Sequence, residues 1–276
     1  MLSPGLPGAA APDSGVPAGS HGARSLASEP DASFAVPEPL RRRLGDGIDA
    51  VVWVNEVGGV TVRGRDDGDR VFAKWAPPES RAELDLAAEA ERLQWAAAHT
   101  RVPEVVGYSS DQDGEVLVTR ALPGTNAVTD RWRSEPRTAV IALGEGLRAL
   151  HEALPVAGCP FDWSVGERVQ RGRMSGIPER AAALERLGDA PAVDTLVVCH
   201  GDACAPNTLL NGDGSVAGHV DLGRMGIADR WADIAIGAWS TEWNYGPGYD
   251  RLYYEAYGVD PDEERIAFYR ALWDAT

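Results

Sequence analysis

The sequence predicts an α+β protein of two lobes, a small β-rich lobe with one main helix followed by a larger, mostly helical lobe. Three observations carry this. Residues 50–120 hold short apolar runs punctuated by glycine and aspartate, one segment dense in Ala, Leu and Glu interrupts them, and from Arg137 onward the apolar period turns helical. A chain of 276 residues can bury enough apolar surface for one large domain or two small lobes.

The elements follow in order. Residues 1–38 are low-complexity, 25 of the 38 being Ala, Gly, Pro or Ser. Such a segment cannot bury enough apolar area to offset the entropy of ordering, so a disordered tail is expected over 1–38. The small lobe is expected over 39–120 and the large one over 121–276. Pro39 to Gly47 reads as a short helix or a turn. Val51 to Val54 reads as a strand, Val57-Gly58-Gly59-Val60-Thr61-Val62 as a glycine turn flanked by strand, and Asp66-Asp67-Gly68-Asp69 as a hairpin tip. Arg70 to Ala76 is the returning strand. Glu83 to His99 predicts the main helix, with Leu86, Leu93 and Ala97 at helical spacing. Val102 to Val106 and Glu115 to Thr119 read as two further strands, and Ala139 to Leu154 as the clearest helix of the large lobe. Leu196 to Cys199 and Thr208 to Leu210 are runs of buried-strand type. Asn211-Gly212-Asp213-Gly214 is a turn leading into a strand from Ser215 to Val220.

Charge narrows the partners. The net charge is −16, from 42 acidic and 26 basic residues. Such a surface repels nucleic acid and anionic membranes and favours a cationic small molecule. No apolar run approaches the length that spans a bilayer, and the N-terminus lacks the basic stretch and apolar core of a secretion signal. Cys159, Cys199 and Cys204 show neither metal-ligand spacing nor an even count, which suits free thiols in a reducing cytoplasm. A monomer or weak dimer is expected.

The richest segment is His200-Gly201-Asp202-Ala203-Cys204-Ala205-Pro206-Asn207, followed by Asp221-Leu222-Gly223-Arg224. Asn207 lies five residues after Asp202, and Asp221 fourteen after Asn207. Phosphoryl transfer from ATP needs this set: one carboxylate for the proton of the attacking hydroxyl, and an amide and a second carboxylate for Mg2+. The strand pattern puts Asp202 and Asn207 on a loop and Asp221 just past the next strand, so the three can converge. In the small lobe, Lys74 sits on a predicted strand and Glu89 fifteen residues later on the helix. Lys74 is the single lysine beside 25 arginines (26 − 1), which marks a place where a compact ammonium is wanted. Glu83 and Glu91 are the alternative partners on the same segment.

These motifs resemble the H-R-D-x-x-x-x-N and D-F-G pair of protein kinases. With Gly for Arg and Leu for Phe, they are similar to the aminoglycoside phosphotransferases, and Val-Val-Cys-His-Gly-Asp fits that family's 3'-hydroxyl group. Phe-Ala-Lys-Trp-Ala and Glu-Ala-Glu-Arg-Leu-Gln-Trp match its Y-A-K-I-A and E-x-x-x-L-x-W, and the resemblance runs from Val51 to Asp274. It implies a bilobal protein-kinase-like fold and the cofactors ATP and Mg2+. It implies Asp202 as catalytic carboxylate, Asn207 and Asp221 on the metal, and Lys74 and Glu89 at the phosphates. Backbone groups of Thr119 and Ala121 would meet the adenine edge, Gly58 and Gly59 the phosphates, and Arg224 the γ-phosphate or the loop. Asp229 reads as a helix N-cap and Asp233 as the carboxylate that holds the catalytic loop.

The chain departs from the family in four places. Its glycine turn is shorter and lacks a serine near the tip, Arg120 replaces an acidic residue, Trp239 stands where relatives tend to carry arginine, and it ends Ala-Leu-Trp-Asp-Ala-Thr where the family often ends L-L-D-E-F-F. The resemblance implies acidic contacts to an aminoglycoside, for which Asp162, Glu242, and Asp274 together with the terminal carboxylate of Thr276 are the candidates. The leading function is phosphorylation of an aminoglycoside hydroxyl, the 3'-position first, giving antibiotic resistance or self-protection. The alternatives are a kinase of the same fold acting on a macrolide, a sugar or a choline-like amine, and a non-catalytic kinase-like binding module.

Overall fold

The structure, a computed structural model, describes residues 27–28, 34–81 and 83–276. The disordered tail expected over 1–38 therefore lies mostly outside the described residues. Within it, Ala27–Ser28 (β1) pairs antiparallel with Asn55 and Val54.

The small lobe continues with α1 (Glu38–Leu44), β2 (Ile48–Asn55), β3 (Val60–Asp66), β4 (Asp69–Ala76), α2 (Leu86–Ala96), β5 (Val105–Asp111) and β6 (Gly114–Arg120). Its strands form one antiparallel sheet in the order β1-β2-β3-β4-β6-β5. Both faces are covered. Val71 and Ala73 of β4 join Val116 and Val118 of β6, Val60 and Val62 of β3, and Leu40 and Leu44 of α1 in one core. Ala76 and Leu117 turn the other way, into a core with Leu86, Ala90 and Leu93 of α2. Side chains alternate across a strand, so Lys74 shares the α2 face.

Two boundaries differ from the sequence reading. The helix begins at Leu86 and not Glu83, because the Asp85 carboxylate accepts the Ala88 N–H at 2.8 Å and caps it there. It ends at Ala96, and residues 97–99 close it as a turn. The strand expected from Val102 starts at Val105, since Pro103 has no N–H for a ladder.

The large lobe holds β7 (Thr125–Asn126), α3 (Asp130–Ser134), α4 (Pro136–Ala153), α5 (Val165–Met174), α6 (Pro178–Arg186), β8 (Leu196–Cys199), β9 (Thr208–Leu210), β10 (Val216–His219), β11 (Gly226–Asp229), α7 (Trp231–Tyr245), α8 (Asp250–Tyr257) and α9 (Glu263–Ala275). Two short sheets carry the motifs: β10-β9-β7, and β11 paired with β8 from Gly226↔Cys199 to Asp229↔Leu196. That last pairing sets residue 200 beside residue 225, so the 200–207 and 220–225 loops leave their sheets side by side. No described helix is long and apolar enough to cross a membrane.

Candidate active site

Lys74 connects the lobes. Its Nζ donates to Glu89 Oε1 at 2.6 Å on α2 and forms a close ion pair with Asp221 Oδ1, 147 residues away. Glu83 is engaged elsewhere, with Arg180 at 2.6 Å, and Glu91 is exposed, so Glu89 is the lysine's helix partner. Burial pulls the ammonium's pKa down, but the Asp221 and Glu89 carboxylates more than offset this and hold Lys74 above the usual lysine value. The two carboxylates respond differently. The Glu89 side chain is 8% exposed, and burial raises its pKa despite the lysine; the Asp221 side chain is 44% exposed, and there the ammonium prevails over burial and holds the carboxyl below the usual range. Asp221 adopts a left-handed backbone, φ 63°, sparsely populated by residues other than glycine.

The loop bearing Asp202 and Asn207 is held from below. Asp233, near the start of α7, accepts the His200 N–H through Oδ2 and the Gly201 N–H through Oδ1 at 3.0 Å. Burial would raise its carboxyl, but His151 Nε2 at 3.0 Å and the His200 N–H reverse that and hold it below the usual range. His151 Nδ1 in turn meets the Tyr257 hydroxyl at 2.8 Å. Farther along, Ser240 Oγ accepts the Ala205 N–H at 2.9 Å, and Asn207 Nδ2 donates to the Asp202 carbonyl at 3.0 Å. Asp202 Oδ1 is buried and has no partner among the described residues. Asp229 was expected at the N-cap of α7, but Arg230 holds that position because the helix starts at Trp231; Asp229 instead accepts the Trp231 N–H at 3.0 Å from outside the helix and the Asp194 N–H at 2.8 Å, which ties in the segment before β8.

Several expected contacts are already engaged in this structure. The Gly58 N–H donates to Asn55 O at 3.2 Å and the Gly59 N–H to Asn55 Oδ1 at 2.7 Å, so the turn satisfies both amides that were expected to face phosphate. The cause is Asn55, whose backbone carbonyl closes the turn on Gly58 and whose side chain folds back onto Gly59. Ala121 N–H, expected at the adenine edge, donates to Arg70 O at 2.9 Å, and Thr119 is paired with Phe72 and Val105 in the sheet. Arg120 lies between Asp69 and Glu104 and pins that edge. Arg224 has its guanidinium 5.9 Å from the Trp163 ring centre, a bracing position. Asp162 Oδ1 accepts the Ser164 N–H at 2.7 Å at the entry to α5, Glu242 lies 3.8 Å from Arg270, and Asp274 is exposed in the last turn of α9. Asp162 and Glu242 thus engage different partners, at the entry to α5 and on α7.

Sequence reasoning missed His151, Tyr257 and Ser240, which act on the loop from α4, α8 and α7. It also missed Arg92, whose Nε donates to Met225 O at 2.8 Å and ties α2 to the loop after Asp221. His151, Tyr257 and Ser240 lie in no local motif, and Arg92 falls at an unspecified position of the Glu89–Trp95 motif; the turn residue Asn55, four before Gly59, carried a readable signal.

The phosphotransferase enzyme family matches residues 41–269. An aminoglycoside 3'-phosphotransferase of Streptomyces fradiae is 40% identical over 73% of this chain and 84% of its own length. A streptomycin 3''-kinase of Streptomyces griseus is 35% identical over 73% of this chain and 83% of its own. An aminoglycoside phosphotransferase of Streptomyces rimosus, solved in complex with ADP and streptomycin, is 29% identical, covers 86% of this chain and 96% of that one, and superposes with a TM-score of 0.69. With the lysine–glutamate–aspartate bridge and the braced loop beneath it, these likenesses identify the chain as a member of the phosphotransferase enzyme family, among the aminoglycoside phosphotransferases.

Proposed function

We propose that this enzyme moves the γ-phosphate of ATP onto an aminoglycoside hydroxyl, the 3'-hydroxyl first, and so confers antibiotic resistance or self-protection. The observation that carries the reading is the Lys74 ammonium bound at once by Glu89 and Asp221, two carboxylates brought from separate lobes. A fixed ammonium at the lobe junction suits the phosphates of a nucleotide. The relative solved with ADP supports the nucleotide, and the relatives' names support the acceptor.

The donor set fits magnesium. Asn207 gives its Nδ2 to the loop and keeps Oδ1 for a ligand, and Asp221 supplies carboxylate oxygen; hard oxygen donors are what Mg2+ takes. When bound, the metal would offset charge on the phosphates. Asp202, on the loop held by Asp233 and Ser240, accepts the proton of the attacking hydroxyl. Lys74 holds the phosphates and Glu89 keeps the lysine aimed. Gly58, Gly59 and Ala121 can serve the nucleotide only if their present partners are exchanged. Asp162, Glu242 and Asp274 are the acids proposed to receive the drug's ammonium groups. The enzyme is proposed to work in the cytoplasm, where ATP is supplied, as a monomer or weak dimer.

A second acceptor, streptomycin, is favoured by the 35% identical streptomycin 3''-kinase. Steady-state turnover of ATP with kanamycin, neomycin and streptomycin, beside a macrolide and choline, with products mapped by NMR, separates the acceptors. Asp202→Asn is expected to lower kcat by about a thousandfold or more while nucleotide affinity stays within about threefold. Wild-type turnover in that variant would remove Asp202 from the proton-accepting role.

A further inference from the structure

Between the segment 200–208 and helices α4 and α8 lies a small cavity of about 10 Å³ lined by Leu143, Leu147, His200, Ala203, Thr208, His219 and Tyr253. One polar group there is unmatched: His200 Nε2 is buried and has no partner among the described residues. The hydrogen bonds around the cavity can be read in only one direction. His200 Nδ1 accepts the Asp202 N–H at 3.3 Å, so the proton of the neutral ring sits on Nε2, and the unmatched group is a donor. His219 Nε2 lies 3.3 Å from the Gly146 carbonyl, which can only accept, so Nε2 carries the proton and Nδ1 accepts. Thr208 Oγ1, 3.3 Å from that Nδ1, therefore donates to it and keeps its lone pairs free. The ring's two partners, a carbonyl and a hydroxyl, are both uncharged and supply no counter-ion for an imidazolium, so the buried ring is neutral. The two rings stand 5.8 Å apart, edge to face.

We propose that one structural water fills this cavity, accepting from His200 Nε2–H and donating to Thr208 Oγ1, and that Thr208 and His219 are thereby positioning residues for Asp202. The volume is that of a single water, and the site offers the polar partners a buried water needs, where an empty cavity would be apolar. The relay then runs from the Gly146 carbonyl in α4 through His219, Thr208 and the water to His200, which holds the backbone N–H of Asp202. The chain of donors aims the proton-accepting aspartate from the lobe's interior. The kinetic part rests on Asp202 being the proton acceptor; the water itself does not.

A crystal structure at a resolution that shows ordered solvent, together with kinetics of Thr208→Val and Thr208→Ser, tests both parts. The wild type and Thr208→Ser should show one density peak between His200 Nε2 and residue 208, and Thr208→Val should lose it. Thr208→Val should lower kcat by about five- to tenfold, in line with one hydrogen bond lost, with KM for ATP and the melting temperature near wild type, and Thr208→Ser should restore kcat. An empty wild-type cavity overturns the water. A clear wild-type peak with unchanged kcat in Thr208→Val overturns the positioning role, and so does a parallel loss of kcat and melting temperature in both variants.

Discussion

His219 is 5% exposed, and its imidazole is held neutral by burial, by the neighbouring His200 and by His151. A histidine with a depressed pKa in the fold, about 3 against 6.5 unfolded, takes up its proton more readily when the chain unfolds. Its stabilising contribution is therefore complete above about pH 6.5 and is lost as pH falls toward 3. Between pH 6.5 and 5 that loss is on the order of 2 kcal/mol. His219→Gln keeps a donor for Gly146 and an acceptor for Thr208 without the titration. Chemical denaturation at pH 7 and pH 5 should show the wild type losing about 2 kcal/mol more than the variant; equal losses would remove His219 from the acid sensitivity of the fold. At this scale the sequence was legible where chemistry is unusual for the composition, as with one lysine among 25 arginines. It was not legible where an ordinary residue acquires a role from a distant element. Ser240 and His151 have no local signal, because their partners lie 35 and 82 residues away.

The loop between β8 and β9 depends on a glycine at its second position. Gly201 has φ 83°, and a β-carbon there would run into the carbonyl oxygen of Arg224, a backbone atom that the β8–β11 pairing fixes in place. Gly201→Ala should therefore push apart the segments bearing Asp202 and Asp221. A loss of kcat of tenfold or more, with destabilisation of about 1–3 kcal/mol, is expected from the left-handed strain and the overlap. Turnover and a melt of the purified variant check both numbers; full activity would show that the two loops move independently. The strands flanking this loop were readable because buried runs such as Leu196–Cys199 and Thr208–Leu210 have a strong apolar signature. The pairing of β8 with β11 was not, since nothing local says which distant strand a short apolar run will choose. The glycine turn after β2 shows the complementary failure: Gly58-Gly59 reads as a turn, while the commitment of the Gly59 amide to Asn55 depends on one side-chain rotamer.

Across the whole molecule, polar ties join the lobes beside an apolar core that runs through both. Lys74–Asp221 lies within the cleft, Arg92 reaches Met225 O from α2, and Arg180 of α6 grips both oxygens of Glu83 at 2.6 and 3.3 Å. The two-lobe plan was legible because the apolar period changes from strand to helix along the chain, but these ties were not, since each joins residues far apart in sequence. The Arg180–Glu83 pair is the one remote from the chemistry. Its side chains are about a quarter exposed, which places its worth at roughly 0.5–1 kcal/mol. Arg180→Met keeps the apolar stem and removes the fork, so lobe approach should weaken without unfolding either core. KM for ATP should rise about two- to fivefold at low salt, with kcat nearly unchanged, and Glu83→Gln should reproduce the effect without adding to it in the double variant. In a protein of net charge −16 this cross-lobe pair also offsets repulsion, so the wild-type advantage should shrink as salt screens it. Additive effects of the two substitutions, or an advantage that persists at about 0.5 M salt, would mean that the pair does not set the lobe spacing.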